Sequence, residues 1–170
     1  AFLGESLALE PTQFFWFFVL NIGGIMAGAR FSGRFAGRLE PRRQIRRGFR
    51  IMSAAALVNL AANLLFDAQA WWAMLPIAVF AFGWALMVPV VTLLVLDVVP
   101  ERRGMASSLQ AVVGSAANGV VAGVVAPLVM HSTVALAATS LAMMCVGLIA
   151  WLVLRRRWPE VGAQAPAPPP

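Results

Sequence analysis

The chain has 170 residues, of which 61% are hydrophobic and 12% charged, with a net charge of +6 and a mean hydropathy of +0.81. Soluble domains carry about 25% charged residues, and a chain this short cannot bury so much apolar surface in one water-soluble core. One Cys and one His exclude an intramolecular disulfide, a multi-Cys metal site and any paired-His motif, so no metal and no cofactor are expected. The first residues carry no basic segment followed by an apolar run and cleavage site, so no signal peptide is expected. A start at Ala1 rather than Met suggests a piece of a longer protein.

Five uncharged stretches follow one another, at residues 12–29, 51–66, 70–96, 105–130 and 132–154. A membrane-spanning helix needs roughly 20 predominantly apolar residues, within a range of about 17–25. The third, fourth and fifth stretches meet this directly. The second is short, but Arg50 extends it if its guanidinium snorkels to the interface. Pro89 and Pro127 fall inside such stretches, where membrane helices tolerate them. The prediction is an all-α integral membrane protein with about five transmembrane helices over residues 12–158. A Pro/Ala-rich tail over 159–170 is expected to be extended or disordered.

All 13 basic residues are Arg. Eight of them, Arg30, Arg34, Arg38, Arg42, Arg43, Arg46, Arg47 and Arg50, lie between the first and second stretches. The next connection, around Asp67, has none. "PERRG" then supplies Arg102 and Arg103, the connection at His131 again has none, and Arg155, Arg156 and Arg157 follow the fifth stretch. Arginine therefore occupies alternate connections, which lie on one side of a membrane. By the positive-inside rule that side is cytoplasmic and includes the C-terminus. Nucleic-acid binding through the same charges has no aromatic interleaving or recognisable fold behind it, and none is expected. Trp71 and Trp72 at the outer end of the third stretch and Trp158 beyond the inner end of the fifth suit an interfacial aromatic belt.

No catalytic constellation emerges. The acids Glu5, Glu10, Glu40, Asp67, Asp97, Glu101 and Glu160 all avoid mid-helix, and Ser107 and Ser108 have no His beside them, so no enzyme is expected. "GIMAG", Gly24 to Gly28, and "GVVAG", Gly119 to Gly123, place small residues four apart, where helix backbones approach closely. They read as packing strips, or as sliding surfaces in a bundle that moves. Asn21, Asn59, Asn63, Thr92, Gln110, Ser115 and Asn118 are polar groups within apolar helices. Each needs an interhelical partner or a water-filled cavity. Asp97 closes the third stretch beside "VVPERRG". Arg30, Arg34 or Arg103 is its expected partner in a latch between helix ends, the alternative being an ordinary solvated terminus.

"VLNIGGIMAGARFSGRFAGRLEPRRQIRRG" resembles the eighth helix and following cytoplasmic loop of a major facilitator superfamily transporter. "GWALMVPVVTLLVLDVVPERRGMASSLQAVVGSAANGVVAGVVAP" resembles the tenth helix, turn and eleventh helix of the same superfamily. The likeness spans residues 11–158 and is greatest to the bicyclomycin/chloramphenicol-resistance type of drug–proton antiporter. Gly28, Arg34 and Arg38 match its Gly/Arg loop motif, and Pro100, Arg103 and Gly104 match its second cytoplasmic turn. Gly33 stands where that loop usually has Asp, so a charge relay there is not carried over. The resemblance implies two six-helix halves around a cavity open alternately to each side. Residues 1–11 would then form an outer loop after a missing helix.

Its implied partners are the lipid bilayer of a bacterial inner membrane, the missing N-terminal helices, a small amphiphilic substrate and protons. Phe17, Asn21, Trp84, Ser115 and Asn118 are the cavity candidates. Gly28, Arg34, Arg38, Asp97, Pro100, Arg103 and Gly104 would serve gating, and Gly24, Gly119 and Gly123 packing. With no mid-membrane carboxylate, the chain is not expected to transport alone. Two alternatives remain: a facilitator for a sugar or metabolite, marked by several charged or amide groups in the cavity, and a non-transporting membrane scaffold. Further helices encoded upstream would exclude the scaffold.

Overall fold

The computed structural model describes residues 11–65, 70–130 and 132–162; for 11–14, 17 and 70–74 it describes the backbone only. Asp67, His131, Glu5 and Glu10 thus lie outside the described residues, as do the side chains of Trp71 and Trp72. Among the described residues every regular element is helical: α1 (Pro11–Phe35), α2 (Pro41–Leu65), α3 (Ala70–Val98), a 3-10 turn (Pro100–Arg102), α4 (Arg103–Val120), a π-helical turn (Val121–Val125), α5 (Ala126–Val129) and α6 (Thr133–Arg157). Among the described residues four stretches are long and apolar enough to cross a membrane: Pro41–Leu65, Leu75–Val98, Pro100–Val129 and Thr133–Arg157. The molecule is a multi-span helical bundle with arginine at one end.

The arginine segment is mostly helix, which corrects the expected loop. α1 continues past Ala29 through Arg30 and Arg34, and α2 begins at Pro41, well before the uncharged run at Ile51. Charge placed those boundaries too far inward because the second helix starts amphipathic. Arg42, Arg43, Arg46, Arg47 and Arg50 alternate with Gln44, Ile45, Gly48 and Phe49, and the latter four are buried, an inward stripe at helical spacing. Pro41 suits a first helical position, whose N–H would lack a partner anyway. What remains as connection is 36–40, closed by Gly37 at φ 73°, a left-handed conformation at little cost only for Gly. The Arg38 and Leu39 N–H groups donate to the Phe35 carbonyl there.

α3 is flanked by α1 and α2, and α6 packs against α2. Close approach explains both α3 contacts. A Cβ on Gly24 would lie 2.5 Å from the Ala78 carbonyl oxygen, and one on Gly28 2.5 Å from that of Phe82. At the other crossing Gly48 faces Gly83, with a Cβ on Gly48 reaching to 2.9 Å from the Gly83 oxygen. Ile45, Phe49, Met52 and Met144 form the core between α2 and α6, with Met87, Val90 and Trp151 packed against it.

The fourth span is different. Every residue over 111–124 is exposed, and α4 meets the bundle mainly along α3. Its π turn has a local cause. Pro127 lacks the N–H that would serve the Gly123 carbonyl, and its ring presses on that carbonyl, so the preceding turn widens. After α6 the chain turns back through residues 158–162. Arg42 donates from Nε to the Val161 carbonyl at 2.9 Å and from Nη2 to the Pro159 carbonyl. The near part of the expected tail is therefore a folded turn clasped to α2.

Candidate functional site

Two features organise the arginine end of the bundle. The first is a polar node where α1, α2 and α3 meet. Gln44, only 2% exposed, donates its amide to the Ser32 hydroxyl at 2.8 Å and to the Leu86 carbonyl at 2.9 Å. A carbonyl has a second lone pair, so Leu86 can accept this bond without leaving the helix. Neither Gln44 nor Ser32 was expected from sequence, because the helix boundary had been drawn beyond them. The available signal was the spacing of Arg pairs at 42–43 and 46–47 and of Arg50, with Gln44 and Ile45, then Gly48 and Phe49, in the gaps.

The second feature is a cavity of about 650 Å³ between α3, α4 and α6, walled by Leu94, Val95, Leu109, Val113, Trp151 and neighbouring apolar side chains. Gln110 reaches it and donates to the Thr92 hydroxyl at 3.2 Å, tying α4 to α3. Arg102 is the charged group on its wall. With so few polar groups, it can hold apolar matter without orienting it.

The five cavity candidates do not converge on that space. Asn21 on α1 has its side-chain oxygen buried with no hydrogen-bond partner among the described residues. Trp84 is exposed on α3, Ser115 and Asn118 are exposed on α4, and the Phe17 side chain lies outside the described residues. Asn59 and Asn63 turn to each other within α2: the Asn63 amide donates to the Asn59 carbonyl at 2.8 Å and to its side-chain oxygen at 3.2 Å.

Of the motif residues, Gly28 is buried against α3, while Arg34, Arg38 and Gly104 are exposed. The Arg34 guanidinium lies 6.0 Å from the Phe31 ring centre. Pro100 opens the 3-10 turn. Asp97 pairs with Arg103 at 2.9 Å, both side chains more than half exposed, and not with Arg30 or Arg34. A pair so wet contributes about 0–1 kcal/mol. It fastens a turn, α3 to α4, and does not bridge to α1. The strips also differ: Gly24 meets Ala78, whereas among the described residues no neighbouring element lies within 4 Å of a Cβ on Gly119 or Gly123.

Among the described residues no group of three His, Cys, Asp or Glu is placed to hold a metal ion. The fold and this site define a multi-span helical membrane protein. Comparison with protein-family models, curated proteins and solved structures gave no match.

Proposed function

We propose that the chain is the carboxy-terminal part of a major facilitator superfamily transporter, most like the bicyclomycin/chloramphenicol-resistance type, exporting small amphiphilic compounds in exchange for protons across a bacterial inner membrane. The observation that carries this is "PERRGMASS", a tight turn between two long apolar helices, at the place where the resembled family has its second arginine-bearing turn. The unpartnered fourth span supports it. Gly114, Ser115, Asn118 and Gly119 offer a small and polar surface that is exposed among the described residues, as a helix facing an absent second half would. Asn21, whose buried oxygen has no hydrogen-bond partner among the described residues, is assigned to the same substrate cavity. Transport then proceeds by rocking of two six-helix halves about a midplane site. The coupling carboxylates belong to the other half, and the reaction involves no enzymatic bond-making.

The gene itself gives the first test: it must encode the remaining helices upstream. Everted vesicles holding the full-length protein should then accumulate ethidium when a proton gradient is imposed and stop when a protonophore collapses it. Vesicles holding only these 170 residues should not. A gene confined to these helices would mean a scaffold, and accumulation indifferent to the gradient would remove the antiporter.

A further inference from the structure

Between α2 and α6, at the arginine end, lies a second and smaller pocket of about 110 Å³ lined by Arg46, Phe49, Arg50, Ser53, Leu148, Trp151, Leu152 and Arg155. We infer that this pocket binds the phosphate of an anionic membrane lipid, held by Arg46, Arg50 and Arg155 with the lipid's chains lying along α6.

Three observations place it there. Arg46, Arg50 and Arg155 take part in neither of the ion pairs among the described residues, Arg43–Glu40 and Arg103–Asp97. Three arginines from two helices thus line one pocket with no carboxylate paired to them, and guanidinium matches phosphate oxygens in a two-pronged geometry that an ammonium lacks. The remainder of the wall is apolar: Phe49, Leu148, Trp151 and Leu152. The Ser53 hydroxyl already donates to the Phe49 carbonyl at 2.7 Å, so it adds no new donor. A freely soluble anion gains nothing from such a floor, whereas the glycerol and first methylenes of a lipid do.

Beside the pocket Ile149, Leu152 and Val153 on α6 are exposed, and Val146 and Met143, toward the middle of the helix, extend that apolar surface for acyl chains. The volume fits one headgroup phosphate and not the chains, which must lie outside. Basic pockets between membrane helices select anionic headgroups by this chemistry, at a depth where Arg and Trp both sit at the interface.

This rests on the bilayer-spanning character of the helices and not on transport. Retention of the chain in carbonate-washed membranes checks that foundation separately. The test itself is native mass spectrometry of the full chain released from detergent micelles containing dioleoyl phosphatidylglycerol, dioleoyl phosphatidylcholine or inorganic phosphate. One phosphatidylglycerol should be retained in preference to phosphatidylcholine, and the triple variant Arg46→Gln, Arg50→Gln, Arg155→Gln should weaken it about tenfold or more. The control triple Arg30→Gln, Arg47→Gln, Arg157→Gln removes the same charge elsewhere and should leave it unchanged. Should the first triple fold poorly, Arg155→Gln alone, on the exposed last turn of α6, should weaken retention roughly threefold to fivefold. Equal loss in both triples means diffuse charge attraction, and equal retention of the two lipids means no headgroup site; either overturns the inference. So does inorganic phosphate that displaces the lipid at equal concentration, which would make the pocket a free-anion site.

Discussion

Replacing Gln44 by Leu nearly preserves side-chain volume yet strips the Ser32 hydroxyl and the Leu86 carbonyl of their shared donor. Losing hydrogen bonds at a buried node costs about 1–3 kcal/mol, so Gln44→Leu should lower the thermal midpoint of the detergent-solubilised chain while leaving its insertion intact. An unchanged midpoint would mean that the node contributes nothing net. Two glycines on α1 make a sharper pair. Gly28→Ala would set a Cβ 2.5 Å from the Phe82 oxygen, against backbone that cannot yield cheaply, whereas Gly33→Ala meets open space. The first should reduce folded yield in a monodispersity assay. The second should hold or slightly raise stability, since Ala is favoured over Gly in a helix by about 1 kcal/mol. Equal behaviour of the two would reject close α1–α3 contact. Gly24 and Gly28 were legible in sequence because their spacing is a known packing device. Gly48 and Gly83 were not, since each is a solitary glycine whose meaning comes only from the helix opposite.

Among elements, the π turn at Val121–Val125 is attributed here to Pro127. Pro127→Ala restores an N–H for the Gly123 carbonyl and removes the ring that presses on it. Amide exchange over residues 121–127 should slow several-fold as the turn narrows to an ordinary α-helix. Exchange that does not change would place the cause elsewhere, in the small residues before it. The existence of long helices could be read from hydropathy alone, because apolar length is a strong signal. Their ends could not. At α2 the charged residues were counted as loop, although their spacing left every second pair of positions free to face the core. Charge reports where water is, not where a helix stops.

For the whole molecule, one-sided arginine predicts that position 131 and position 156 lie on opposite faces of the membrane. In a Cys145→Ala background, His131→Cys should react with an impermeant maleimide applied outside intact cells, and Arg156→Cys should react only after permeabilisation. Outside labelling of Arg156→Cys would invert the topology. The packing of the fourth span was the part least open to sequence reasoning. "GVVAG" reads as an interface, yet Gly119 and Gly123 touch nothing among the described residues, because a small-residue strip states that a partner can come close without saying which helix it is.

The clasp made by Arg42 has a mechanical meaning as well. α6 is held at its arginine end by the Val161 and Pro159 carbonyls, which accept from Arg42, midway by Met144 against Ser53, and near its start by Ala137, which is buried. A rod seated at three heights resists both sliding along α2 and tilting about either end. A helix of 25 residues is about 37 Å long, so a tilt of roughly 10° about the clasp would carry Met144 about 3 Å and the far end about 6 Å, pulling both from their seats. Displacement of α6 would therefore drag on its neighbours along its whole length.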